Sequence, residues 1–128
     1  MSATITRVET HEAPRAIGPY SQGVVAGDLV FVSGQIPLDP ATGELVSGTF
    51  RQEFERVLAS VDGVLRAAGC NRTRVVRCMV YLTDLALFGE LNEIYAAFFG
   101  DHRPARAVVE VSALPRGARV EMEAIALR

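Results

Sequence analysis

Three charged side chains stand inside otherwise apolar extended runs near the end of the chain. Arg106 lies in residues 105–111, and Glu121 and Glu123 flank Met122 in residues 119–127. Such side chains are almost never fully buried unless paired, so their placement calls for a physical reason. A guanidinium grips a carboxylate through two parallel hydrogen bonds, a charge-assisted contact contributing about 1.5–3 kcal/mol. Arg106 is therefore a candidate anchor for a small organic acid. A spacing of two puts Glu121 and Glu123 on one face of a strand, where one of them can act as a general base or position a water. The alternatives are structural: an ion pair for Arg106, glutamates that balance Arg106, Arg77 or Arg119, or a sheet edge where the charges reach water.

The remaining polar residues give weaker signals. Tyr20 and Ser33 sit beside proline or glycine on a loop and a strand end, where ligand groups commonly lie. Most residues so placed are solvated or locally hydrogen-bonded. Asn92 interrupts a helical run, and a mid-helix asparagine is usually a surface residue. His11 and His102 have no second histidine or carboxylate at ligand spacing, so no metal site is expected. Cys70 and Cys78 fit core or helix-end positions better than nucleophiles. No glycine-rich phosphate loop or GxSxG elbow occurs.

These residues need elements to hold them. Residues 5–9 read as a short first strand. Residues 22–26 and 29–33 read as a hairpin closed by Gly27-Asp28. Before it, two prolines and a glycine between Pro14 and Tyr20 stiffen the loop that presents Tyr20. Thr49 and Gln52 have capping-box spacing, and Phe50, Phe54, Val57, Leu58, Val61, Val64, Leu65 and Ala68 recur at helical period until Gly69. Residues 74–82 form a strand. Thr83-Asp84 caps a second helix with Leu87, Phe88, Leu91, Ile94, Tyr95, Phe98 and Phe99 on its apolar side, ended by Gly100. The two C-terminal strands follow, joined by a turn at Leu114-Pro115-Arg116-Gly117. The expected fold class is α+β, one mixed sheet with two helices packed on one face, in the order β-β-β-α-β-α-β-β.

Composition bounds what such a fold serves. With 128 residues and a net charge of −2, the chain reads as one domain over 1–128 with nothing steering it to nucleic acid or an anionic membrane. No apolar run approaches the roughly 20 residues of a membrane span, and the N-terminus lacks a secretory apolar core. A cytoplasmic protein is expected. Leu29–Val32, Val75–Tyr81 and Ala107–Val109 are apolar on both alternating faces. Two helices cover only one face of a sheet, so self-association is expected to bury the other.

Five blocks taken together resemble the YjgF/RidA family of enamine/imine deaminases. They are Ile17-Gly18-Pro19-Tyr20-Ser21-Gln22, then Phe31-Val32-Ser33-Gly34-Gln35-Ile36-Pro37, then Asn92 ahead of Tyr95-Ala96-Ala97-Phe98-Phe99. Pro104-Ala105-Arg106 through Leu114-Pro115 and Glu121-Met122-Glu123-Ala124-Ile125-Ala126 complete the set. The resemblance implies a chorismate-mutase-like fold and a homotrimer with clefts between protomers. It implies hydrolysis of 2-imino acids such as 2-iminobutanoate and 2-iminopropanoate to 2-oxo acids and ammonia, without cofactor or metal. By the same resemblance Arg106 grips the substrate carboxylate and Glu123 positions the attacking water. Tyr20, Ser33, Gly34 and Asn92 would line the cleft, some from the neighbouring protomer. The alternative is a trimeric protein that binds 2-oxo or related acids without turnover. Many relatives carry a cysteine two positions after the arginine, where this chain has Val108, so a thiol contact to ligand is absent.

Overall fold

The computed structural model describes residues 4–128. Six strands and two helices follow the expected order: β1 (Ile5–Val8), β2 (Gly23–Ala26), β3 (Leu29–Gln35), α1 (Phe50–Ala67), β4 (Val75–Leu82), α2 (Phe88–Phe99), β5 (Ala105–Glu110) and β6 (Val120–Leu127). Gly27 turns the β2–β3 hairpin with a φ of 60°, a backbone conformation that costs glycine little. The capping box of α1 is closed. Gln52 N donates to Thr49 Oγ1 at 3.2 Å, and Thr49 N donates to Gln52 Oε1 at 2.9 Å. Asp84 instead caps a short 3-10 turn, Leu85–Leu87, through Ala86 N at 2.9 Å, so α2 begins one turn later than its cap predicts.

The sheet runs β1-β2-β3-β6-β4-β5, with β4 and β5 parallel and every other pair antiparallel. The two C-terminal strands are consecutive but not paired. The β4–α2–β5 crossover places β5 outside β4, and β6 fills the slot between β3 and β4. Both helices lie on one face. Phe54, Val57, Val61, Val64 and Leu65 of α1 and Leu91, Ile94 and Phe99 of α2 are buried against Val30, Val32, Cys78, Val80, Leu82, Met122 and Ala124. A buried glutamate, Glu53 of α1, receives Arg119, the residue before β6, with Nε donating at 2.9 Å. Ile36, Leu38 and Ala118 form a smaller cluster under the 36–46 loop. No helix among the described residues is long and apolar enough to cross a membrane.

The other face of the sheet carries no helix. Leu29, Phe31 and Leu127 keep 38, 39 and 38% exposure there, and Val109 keeps 38%. The capping box gives a direct check on α1. Thr49→Ala should lower stability by about 1 kcal/mol, read as an earlier midpoint in urea unfolding with an unchanged elution volume.

Candidate functional site

The strand ends on the bare face shape a cavity of about 450 Å³, lined by Tyr20, Ser33, Gly34, Glu121 and Glu123, with Ile17, Leu38 and Pro115 as apolar wall. A β-bulge makes room for it. Val32 pairs with Ala124 and Gln35 with Met122, so Ser33 and Gly34 together stand opposite Glu123. Ser33 Oγ donates to the Ser21 carbonyl at 2.6 Å, which ties the bulge to the loop bearing Tyr20. That loop is held from beneath by Gln22, which is buried. Its Nε2 donates to the carbonyls of Thr10, Ala13 and Pro14 at 3.0, 3.1 and 2.8 Å, and its Oε1 accepts from Thr10 N at 2.8 Å. Tyr20 itself is 48% exposed, its hydroxyl accepting from Ile17 N at 3.3 Å.

The two glutamates share the cavity and differ in their surroundings. Tyr81 on β4 donates its phenol to Glu123 Oε1 at 2.5 Å. That bond to Glu123, followed by burial, pushes the Tyr81 phenol up to about 12. Glu121 stands opposite Tyr81 in the β4–β6 register and packs against Gly34, where any Cβ would run into its carboxyl group. Burial first, and the Glu123 charge second, hold the Glu121 carboxyl above its ordinary range. Neither glutamate neutralises an arginine among the described residues, and Arg119 is taken by Glu53.

Arg106 and Asn92 lie elsewhere. Arg106 pairs with Cys78, which pairs in turn with Ala124, so it projects from the edge strand β5 on the helix-covered face. Glu123 pairs with Met79 and projects from the opposite face. Two strand spacings, roughly 10 Å, and the sheet itself separate the two groups. The Arg106 guanidinium sits 4.7 Å from the Tyr95 ring centre and 5.6 Å from that of Phe88, and it makes no ion pair among the described residues. Cation–π contact of this kind fixes the plane of the fork and leaves its N–H edge for a ligand. Phe88, expected on the apolar side of the second helix, is 40% exposed and meets the Arg106 guanidinium. Asn92 is four residues after Phe88 and three before Tyr95, on the same side of α2. The Tyr95 hydroxyl is buried with no hydrogen-bond partner, and burial holds its phenol above the ordinary range. Burial likewise raises both thiols, Cys70 and Cys78.

A family model described as Endoribonuclease L-PSP matches residues 10–128. The chain belongs to this family, the YjgF/RidA proteins. The chain is 46% identical over 129 residues to a human 2-iminobutanoate/2-iminopropanoate deaminase, covering 100% of this chain and 94% of that one. A Thermotoga maritima structure described as a putative endoribonuclease superposes with a TM-score of 0.94 at 52% identity, over 96% of this chain and 97% of that one. Escherichia coli TdcF with bound serine superposes with a TM-score of 0.92 at 41% identity, over 96% and 98%. The RidA-type fold is thus shared across most of the chain.

Of the residues singled out from sequence, the RidA fold brings together Tyr20, Ser33, Gly34 and Glu123, and leaves Arg106 and Asn92 in a second cluster. Gln22, Tyr81, Phe88 and Tyr95 do structural work at these clusters that spacing alone does not reveal. Gln22 was visible only as part of a matched block, and Tyr81 only as one of several apolar strand residues. The raised Glu121 carboxyl has a consequence for stability. A carboxyl that holds its proton more tightly folded than unfolded supports the fold below the ordinary glutamate value of 4.5, and that support is lost as pH rises through the raised value. Glu121→Gln should therefore melt higher than wild type at neutral pH, with the gain vanishing below the ordinary value. Thermal melts across pH read both.

Proposed function

We propose that this RidA-family chain is a homotrimeric deaminase that hydrolyses 2-imino acids, among them 2-iminobutanoate and 2-iminopropanoate, to 2-oxo acids and ammonia. The observation that carries the reading is the split between the clusters. An unpaired Arg106 beside Asn92 lies on one sheet face, and Tyr20, Ser33, Gly34 and Glu123 surround a cavity on the other. Each is half of a site, and a second copy can supply the other half. The bare apolar face bearing Leu29, Phe31 and Leu127 gives that copy a surface to bury. The human relative's name and the serine bound to TdcF agree with a small amino-acid-derived substrate. Two unbridged, buried cysteines suit a cytoplasmic setting.

The chemistry asks little beyond placement. An imine carbon is already electrophilic, so holding it beside a water supplies most of what is needed. Arg106, held flat by Tyr95 and Phe88, takes the substrate carboxylate through both fork nitrogens. Glu123 has one oxygen engaged by Tyr81, which leaves the other to orient the water and receive its proton. Val108, two residues after Arg106, is aliphatic, and hydrolysis of an imine needs no thiol nucleophile. A non-catalytic reading, binding of small carboxylic acids in the same cleft, draws on the serine complex of TdcF.

Turnover separates the two readings. Supplied with imine by a threonine dehydratase and competing with semicarbazide, the wild type should divert imine to 2-oxobutanoate, and a binding protein should not. Arg106→Ala should abolish the diversion, and Arg106→Lys should also be poor because an ammonium lacks the fork. Gel filtration should give about three times the 13.8 kDa chain mass. Co-expressed Arg106→Ala and Glu123→Ala chains, each inactive alone, should regain about a quarter of wild-type activity, the share of sites that random trimer assembly leaves with both residues intact. No recovery would mean that the two residues do not meet across a subunit boundary.

A further inference from the structure

We propose that the substrates include 2-imino acids with a second carboxylate at the far end, and that Arg15 is the residue that holds it; the proposal rests on the deaminase reading above. Arg15 lines the same cavity as Tyr20, Ser33, Gly34, Glu121 and Glu123. It makes no ion pair among the described residues, and neither do the two glutamates. The acids nearest to it in sequence are placed elsewhere. Glu12 binds Arg66 at 3.2 Å, and Glu9 lines an adjoining cavity with Arg7 and His11. An uncompensated guanidinium in the wall of a site for small acids is a second anchor for a carboxylate.

The backbone around Arg15 is fixed on both sides. Directly before it, Gln22 Nε2 donates to the carbonyls of Ala13 and Pro14 at 3.1 and 2.8 Å. Pro14 is buried, and its ring locks one more dihedral. Two residues after Arg15, Ile17 N donates to the Tyr20 hydroxyl at 3.3 Å. The stem is thus held while the side chain stays exposed and able to close on a ligand. A planar fork on an anchored stem loses less freedom for each hydrogen bond it makes.

Charge and size both favour a diacid. In the deaminase reading, Arg106 of a neighbouring copy takes the carboxylate beside the imine, which every 2-imino acid carries. That anchor does not tell an ethyl side chain from a carboxymethyl one. Without Arg15, the far carboxylate of a diacid would meet only Glu121 and Glu123; with it, an opposite charge stands on the same wall. The cavity volume of about 450 Å³ falls in the range that holds drug-sized ligands, well beyond a four-carbon monoacid. Past Arg15 the space continues into a second cavity of about 730 Å³, which shares Tyr20 and Gln22 and whose charged lining, Arg7, Arg15 and Glu9, is net positive. The hydrolysis itself is unchanged. Water adds at the imine carbon, a C=O bond replaces the C=N bond, and nitrogen leaves as ammonia; the far carboxylate makes and breaks no bond.

The probes are 2-iminosuccinate and 2-iminoglutarate, generated from D-aspartate and D-glutamate by a flavin oxidase with oxygen as oxidant. They are compared with 2-iminobutanoate from the dehydratase, each in competition with semicarbazide. The wild type should divert at least one imino diacid to its 2-oxo acid. Arg15→Gln should lower the ratio of kcat/KM for that diacid to kcat/KM for 2-iminobutanoate about tenfold, the effect of losing one charge-assisted fork. Arg15→Lys should recover part of the ratio, since it restores the charge without the fork. A wild type that diverts 2-iminobutanoate and neither diacid overturns this proposal alone, and so does an Arg15→Gln ratio equal to that of wild type. A wild type that diverts no imine of either kind overturns the deaminase reading and the substrate class with it. Should Arg15→Gln fail to assemble, inhibition of the wild type decides. Competition with 2-iminobutanoate about tenfold tighter by 2-oxosuccinate than by 2-oxobutanoate supports the second anchor, and equal or weaker competition overturns it.

Discussion

A β-sheet is opaque, and that constraint governs everything functional in this chain. Along β4 the side chains alternate, with Cys78, Val80 and Leu82 under the helices and Met79 and Tyr81 on the bare face. Arg106 inherits the first direction through its pairing with Cys78, and Glu123 the second through Met79. A small acid held by the Arg106 of one protomer therefore cannot reach the Glu123 of that same protomer. Charge on one face and carboxylates on the other are two separate features until another copy closes them together, as the proposed cleft requires.

Each half is prepared by packing that has no chemistry of its own. The loop carrying Tyr20 is fastened by one buried amide, Gln22, which satisfies four backbone groups in a stretch with no ladder partners. The bulge at Ser33 and Gly34 places two residues opposite Glu123, which breaks the ladder and opens space for the Glu121 carboxyl. On the other half, Tyr95 and Phe88 stack under the guanidinium in place of a carboxylate. An acidic partner would have cancelled the charge a ligand needs. Aromatic faces hold the fork and leave the charge available.

The elements were readable because their signals are local. The capping box at Thr49 and the period of Phe54, Val57, Val61 and Leu65 predict α1 closely, and the Gly27-Asp28 hairpin needs only adjacent residues. The sequence pattern stopped at connections between distant strands. A turn joins β5 to β6 in the chain, yet β4 lies between them in the sheet, because a strand's place is set by contacts with residues far away in sequence. Phe88 fits an apolar helix face by period but lies at the margin of the sheet, where it meets Arg106 instead of the core.

Sequence by itself determined the element order, the family blocks, and the residue types available for holding and hydrolysing a small acid, since each depends on neighbours in the chain or on composition. It also put Glu121 and Glu123 on one face, because a strand repeats every two residues. Only the tertiary structure decided that the two glutamates have unequal surroundings, that Arg106 rests on rings and not on an acid, and that it faces away from them. Those outcomes depend on strand order, register and the bulge, and they arise from contacts between residues far apart in the chain, where spacing carries no information.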